Sequence, residues 1–254
     1  MNRNLRIHLL EIKYELLKAL RLPAYSLPTI LFPIVFYIFF GVMFGSRASG
    51  PVKMSSYLIA TYGAFGVIGA SLFGFGVSVA IERGQGWLEA KRTTPMPISA
   101  YFVSKLAMAM VFSAIIVLLL FATGLAFGKV HLSLGQAASL LGILVTGSIT
   151  FCALGLALGF IAGPNSAAPI VNLLYLPMSF LSGLWIPILY LPETLQKLAL
   201  WLPPYHLAQL ALRVIGASQK QPVMLHVGAL AAYATLFTIL AYIGYRRDEG
   251  KQYG

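Results

Sequence analysis

The sequence predicts an all-α integral membrane protein: six transmembrane helices, an N-terminal amphipathic interfacial helix, and two short outer helices before the last span. Three observations carry this prediction. Of 254 residues only 10% are charged and 59% are hydrophobic, whereas a soluble domain carries about 25% charged residues. Four uncharged runs, 22–46, 54–81, 106–128 and 221–245, each exceed the roughly 20 apolar residues that cross a hydrocarbon core about 30 Å thick. A fifth run, 130–192, holds no Lys, Arg, Asp or Glu, and its Gly163-Pro164-Asn165-Ser166 string is a natural turn between two more spans.

Residues 1–22 place Leu5, Leu9, Ile12, Leu16 and Leu20 on one helical face, with Arg6, Lys13 and Lys18 largely elsewhere. A basic amphipathic helix leading straight into a span belongs in the cytoplasmic interface, where anionic membrane lipid attracts its cations; a helix packed on a protein partner is the alternative. The first span, 24–45, contains Pro28 and Pro33, each of which removes a backbone donor and tends to kink the helix. The second, 54–81, is rich in small residues (Gly63, Gly66, Gly69, Gly74, Gly76) that let backbones approach closely. A charged segment, 82–105, joins it to the third span, 106–127. The fourth span covers 138–162 and the fifth 168–190. Within 191–216, Leu195, Leu198 and Leu202 form one apolar stripe, and Leu207, Leu210, Ala211 and Val214 another after Pro203-Pro204. Each stretch is too short to cross a bilayer, so both should dip into the outer leaflet or lie on it. Pro192-Glu193 suits a helix start. The sixth span, 224–245, ends at Arg246-Arg247, and the whole of 1–254 reads as a single domain.

The excess of 18 Lys and Arg over 7 Asp and Glu does not call for nucleic acid. With six spans and both termini cytoplasmic, 12 basic residues fall inside and 6 outside, the asymmetry of the positive-inside rule. This arrangement fits a multi-pass protein of a bacterial inner membrane. The lone Cys152 lies in an apolar run, so an intramolecular disulfide and a cysteine metal cluster are excluded. Charges recur through Arg21 without an uninterrupted apolar core, unlike a cleavable signal peptide.

Several chemistries find no residues. All seven acids lie outside the proposed hydrocarbon segments, so a proton-coupled carrier lacks its usual intramembrane group. The string Thr123-Gly124-Leu125-Ala126-Phe127-Gly128-Lys129-Val130 lacks the first glycine and the hydroxyl of a phosphate-cradling loop. His8, His131, His206 and His226 are scattered, with no HExxH pair, and read as interfacial or loop residues rather than metal ligands.

The densest charge cluster runs Glu82-Arg83-Gly84-Gln85-Gly86-Trp87-Leu88-Glu89-Ala90-Lys91-Arg92-Thr93-Thr94-Pro95. As one continuous helix it would put Glu82, Gly86 and Glu89 on one face and Arg83, Trp87 and Lys91 on another, with Pro95 and Pro97 ending it. In Glu82-Arg83, Gly86, Glu89, Thr94-Pro95, Tyr101 and Lys105 the segment resembles the cytoplasmic loop of permease subunits of type-two ABC exporters. The likeness extends over essentially the whole chain. The stretch from Leu191 through Pro203-Pro204-Tyr205-His206 to Leu212 is similar to the outer loop of the antibiotic and multidrug branch, while the N-terminal helix lacks the pattern of the polysaccharide branch.

The resemblance implies that Glu82, Arg83, Gly86, Glu89, Thr94 and Pro95 form a coupling helix docking on a separate ABC ATP-binding subunit. Two such subunits, carrying ATP and Mg, would pair with a permease homodimer, and this chain would bind no cofactor itself. The alternative for Glu82 and Arg83 is that they cap a helix and anchor the loop. Expected function is export of a hydrophobic or amphiphilic substrate (drug, antibiotic, lipid or peptide). Pro169, Asn172, Pro177 and Ser179 are candidates to line the path, with the second and fifth spans around them. An ATP-independent carrier or channel and a lipid-modifying membrane enzyme are the competing classes.

Overall fold

The computed structural model describes residues 3–45, 47–49 and 52–250; Lys251, counted above among the inner cations, lies outside them. Helix α1 (Arg3–Leu20) runs along α6 and is joined by Arg21-Leu22 to α2 (Pro23–Phe36), which widens into a π-helical turn, Tyr37–Val42. A two-residue hairpin, β1 (Ala48–Ser49) with β2 (Val52–Lys53), leads to α3 (Met54–Ser71). A second π-helical turn (Leu72–Val77) continues α3 into α4 (Ser78–Gly84), followed by α5 (Trp87–Arg92), α6 (Ile98–Ala126) and α7 (Leu134–Ile161). Then come α8 (Ala167–Leu181), a 3₁₀ turn (Ile188–Tyr190), α9 (Glu193–Ala199), α10 (Pro203–Val214) and α11 (Val223–Gly250).

Local chemistry sets several of these boundaries. Pro23 opens α2 and Pro203-Pro204 open α10, where the fixed φ suits a first turn whose N–H groups have no partner. Ser133 caps α7 reciprocally: the Gln136 N–H donates to Ser133 Oγ at 3.2 Å, and the Ser133 N–H to Gln136 Oε1 at 3.0 Å, a capping box.

Among the described residues five helical stretches are long and apolar enough to cross a membrane: Pro23–Val42, Met54–Gly84, Ile98–Ala126, Leu134–Ile161 and Val223–Asp248. The expected fifth span, 168–190, is shorter than the sequence suggests. Its helix, α8, has 15 residues, about 22 Å at 1.5 Å per residue. Gly183 adopts φ +77°, and the N–H groups of Leu184 and Gly183 close on the carbonyls of Ser179 and Phe180, both at 3.1 Å. That is a Schellman ending, which satisfies the last carbonyls and stops the helix. The rest of the expected span is irregular chain and the 3₁₀ turn.

The Met54–Gly84 stretch is the central post, buried along nearly its whole length and packed by α2, α6, α7, α8 and α10. Its glycines face different neighbours rather than one: Gly66 meets Ile116 and Pro33, Gly69 meets Tyr175, and Gly76 meets the backbone of Gly155 on α7. At Gly76 a Cβ would stand 2.6 Å from the Gly155 carbonyl oxygen, and backbone cannot move aside as a side-chain tip can. The Tyr175 ring stacks on Phe65 at 4.7 Å and its hydroxyl donates to the Phe65 carbonyl at 2.8 Å, tying α8 to the post.

Away from the post, α11 leaves Leu225, Leu236, Ile239, Leu240 and Ile243 exposed, as expected of a helix whose outer face meets lipid, where burial brings no hydrophobic gain. Helix α10 does not lie on a surface. Its residues from Pro203 to Gln209 are buried among α3, α7 and α11, a wedge driven into the end of the bundle remote from α5.

Gly76→Val is predicted to force α3 and α7 apart, costing about 1–3 kcal/mol. Thermal unfolding in detergent, followed by circular dichroism, should show a lowered midpoint, whereas Gly142→Val, where nothing lies within 4 Å of the added carbon, should leave it in place.

Candidate functional site

The segment between the second and third long helices is an elbow. Helix α4 stops at Gly84, Gly86 takes φ +74°, and α5 starts at Trp87. Space does not demand glycine at 86, since nothing lies within 4 Å of where its Cβ would be; the left-handed backbone does. This break corrects the continuous-helix expectation. Glu82 and Glu89 sit on separate helices and share no face, and Arg83 is separated likewise from Trp87 and Lys91.

Glu82 turns into the bundle. Its Oε1 accepts from Lys105 Nζ at 2.7 Å and from Lys18, and its Oε2 accepts from the Tyr101 hydroxyl at 2.7 Å. Lys105 Nζ also reaches Glu15 Oε1 at 2.6 Å and Ser78 Oγ at 3.0 Å, while Lys18 Nζ lies 3.0 Å from Glu15 Oε2. A neighbouring pair, Lys91 with Glu11, closes the set over the Tyr101 ring, whose centroid is 5.0 Å from Lys91 Nζ. Three lysines thus face three carboxylates. The match is needed because Lys105 is 0% and Glu15 4% exposed, and an unpaired charge so buried would cost several kcal/mol. Burial opposes the charge on Lys18, yet the Glu82 and Glu15 carboxylates push it up to about 12.

Arg83 turns the other way. Its guanidinium donates to the carbonyls of Phe160 (2.8 Å) and Ala162 (2.7 Å) and pairs with Asp248 Oδ1 at 3.1 Å. It therefore satisfies carbonyls at the C-terminal end of α7, where a cation also suits the helix dipole, and ties that end to α11. Two adjacent residues fasten the elbow to α1 and α6 on one side and to α7 and α11 on the other.

Of the six residues singled out in this segment, Glu82 and Arg83 are thus inward fasteners and Gly86 is the hinge of the elbow. Glu89, Thr94 and Pro95 are exposed, beside Trp87 at 59% exposure. Thr93 and Thr94 hydroxyls donate back to the Ala90 and Lys91 carbonyls at 2.9 and 2.7 Å, finishing α5, and Pro97 leads into α6. Sequence reasoning missed Glu11, Glu15, Lys18 and Asp248. A signal existed for three of them: Glu11, Glu15 and Lys18 recur at i, i+4 and i+7, a charged stripe on an otherwise leucine-rich helix.

The four path candidates separate. Asn172 lines a groove of about 480 Å³ between α2, α3 with its π-helical continuation, and α8, alongside Tyr25, Thr29, Phe32, Phe73 and Tyr175. Pro169 and Pro177 are exposed on α8 outside it, and Ser179 is buried. Residues of the second and fifth spans line this groove, and the first span, which was not named, lines it as fully. Its Tyr25, Pro28, Thr29, Phe32 and Pro33 follow helical spacing, a legible signal.

At the opposite end, His206 and His226 meet rather than scatter, 4% and 2% exposed. His206 Nε2–H donates to the Leu200 carbonyl at 3.1 Å, so its Nδ1 accepts the Nδ1–H of His226 at 3.0 Å. The His206 ring, donating at one nitrogen and accepting at the other, is then neutral. Burial holds the His206 pKa below its ordinary value, against the Leu200 hydrogen bond that raises it.

Long apolar helices around a buried post, with a charged elbow bolted across their ends, define a multi-pass helical membrane protein. Residues 9–215 match the family model described as ABC-2 type transporter, and the chain belongs to that family. Over 236 residues it is 28% identical to "Putative transport permease YvfS" of Bacillus subtilis (strain 168), covering 92% of this chain and 95% of that protein. The chain is thus the permease, the membrane subunit, of an ABC transporter, and the family implies partnership with an ATP-binding subunit.

Lys105→Met leaves buried Glu15 and half-buried Glu82 to share Lys18 and is predicted to cost about 3–5 kcal/mol; adding Glu15→Gln and Glu82→Gln should recover much of that loss in thermal unfolding. At the other end, the unfolded chain takes up a proton near pH 6.5 before folded His206 does. Stability there should be flat above that pH and fall below it. Opening of α10, read from hydrogen exchange after division by the intrinsic exchange rate, should be constant above about pH 6.5 and become more frequent below it, and His206→Gln should reduce the dependence.

Proposed function

We propose that the chain is the permease of an ATP-driven exporter carrying a hydrophobic or amphiphilic substrate (drug, antibiotic, lipid or peptide) out of the cytoplasm. It works as a homodimer with two ATP-binding subunits, which hold the ATP and Mg, and both termini face the cytoplasm of a bacterial cell. The observation that carries this reading is the elbow's two-sidedness. Glu82 and Arg83 join it to α1, α6, α7 and α11, while Trp87, Glu89, Thr94 and Pro95 are left on its exposed side. A partner moving against that exposed side moves the ends of four helices together, because a nucleotide-driven subunit can shift the permease only through contacts that differ between its states.

The groove supports the cargo class. Its volume falls in the range of small-molecule sites, about 300–1,000 Å³, and its walls are mostly apolar and aromatic with a hydroxyl and an amide group at Thr29 and Asn172. None of these carries a fixed charge. Such a surface favours an apolar body with a few hydrogen-bonding groups over an ionic solute. A second copy facing the groove would enclose it.

The test separates docking from folding. Glu89 and Trp87 are both exposed on α5, and the substitutions tested are Glu89→Lys and Trp87→Ala. Each is predicted to weaken association with the ATP-binding subunit at least about tenfold, near 1.4 kcal/mol, and to abolish ATP-driven export from proteoliposomes while insertion and thermal stability stay as in the parent. Export at the parental rate in both variants would refute the docking side. Vigorous transport by the permease alone, driven by an ion gradient, would refute the ATP-driven reading.

A further inference from the structure

We propose that α1 is a sensor of anionic lipid and that its binding to the headgroups sets the position of the elbow. This rests on the proposed function only for its consequence, that the elbow is where the drive enters. The helix carries two acids, and both are consumed inside the molecule: Glu15 by Lys105 and Lys18, Glu11 by Lys91. What α1 and its linker present outward is then purely cationic. Arg3, Arg6, Lys13 and Arg21 are exposed and form no ion pair among the described residues.

Those cations are not on a merely solvated face. At 100° per residue Arg6 and Lys13 border the stripe of Leu5, Leu9 and Leu20, which are 52%, 49% and 50% exposed. Leucines beside arginine and lysine suit the boundary between acyl chains and headgroups, apolar stems down and cations at the phosphate level. Position agrees with chemistry, since only Arg21 and Leu22 separate α1 from the first long apolar helix. The occupant of this face is therefore the bilayer leaflet beside that helix, and the charge selects phosphatidylglycerol-type lipid over a zwitterionic one.

The binding would not stay local. Three ion pairs on α1 end on three elements around the elbow: Glu11 with Lys91 on α5, Lys18 with Glu82 on α4, and Glu15 with Lys105 on α6. Anionic headgroups that neutralise the outward cations hold α1 down, and α1 through these pairs holds the elbow. In a zwitterionic bilayer the four cations repel one another without counter-charge and only the ion pairs restrain the helix.

The test uses the full chain alone, in nanodiscs of phosphatidylcholine or of phosphatidylcholine with one quarter phosphatidylglycerol. Hydrogen exchange of residues 85–95 is expected to slow several-fold in the anionic discs, and high salt should reverse the effect as surface attraction is screened. The variant with Arg3, Arg6, Lys13 and Arg21 all changed to Gln should exchange at one rate in both lipids. Lys91→Met should keep the lipid-dependent protection of α1 but weaken that of the elbow. Equal elbow exchange in the two lipids, or a response that survives the fourfold neutralisation, would overturn the proposal. Because no ATP-binding subunit is present, these outcomes stand apart from the association of Glu89→Lys, which tests the docking side by itself.

Discussion

A cation with no exposed surface must be neutralised where it sits, and the arrangement at the elbow end of this permease follows from how Lys105 is neutralised. Two carboxylates from distant parts of the chain, Glu15 on α1 and Glu82 on α4, meet on its ammonium group at 2.6 and 2.7 Å. Helix α6 carries no Asp or Glu of its own, so the N-terminal helix and the elbow are obliged to converge there. Such a pair adds little net stability over a well-packed apolar alternative, but removing one partner is expensive. Its effect is to fix which elements touch. Arg83 does the same on the other side with carbonyls of α7 and the carboxylate of α11.

This geometry converts a short loop into a lever. Left to its backbone, a segment with a left-handed glycine at 86 would bend freely at that point. Fastened by Glu82 and Arg83 just before the bend and by Lys91 just after it, the elbow instead shares the motion of the helix ends it spans. Rigid connection at this end contrasts with the groove between α2, the central post and α8, where aromatic rings and small polar groups line open space. In the proposed reading force and cargo are handled in different places, joined by the Met54–Gly84 helix, which packs at the elbow and lines the groove.

Much of this was legible in the sequence. Uncharged runs located the long helices because lipid excludes unpaired charge, and Pro192, Pro203 and Pro204 marked helix starts through their fixed φ. The charged loop pointed to the family to which the chain belongs. Directions were harder to read. A continuous-helix pattern across 82–95 hid the break at Gly86, since periodicity does not register a single positive φ. A sequence separation of 90 between Glu15 and Lys105 hid their contact, and a lysine near the start of a span reads equally well as a headgroup anchor. The shortened α8 follows from Ser182-Gly183, a helix-stop pair overlooked within an apolar run. Tyr175, buried against Phe65 and Gly69, shows why the groove could not be located from polar residues alone: its hydroxyl is spent on a backbone carbonyl while its ring forms the wall.

The central claim is that α1, α6 and the elbow move as one body. Double electron–electron resonance tests it directly, with spin labels on exposed Leu9 of α1 and Ala90 of α5 after buried Cys152 is replaced by Ser, in labelled permease diluted with unlabelled copies and assembled with its ATP-binding subunit. The account predicts one narrow distance distribution that is the same without nucleotide and with ATP trapped, while a label pair between Ala90 and Leu189 near the opposite end shifts. A Leu9–Ala90 distance that changes with nucleotide would contradict it.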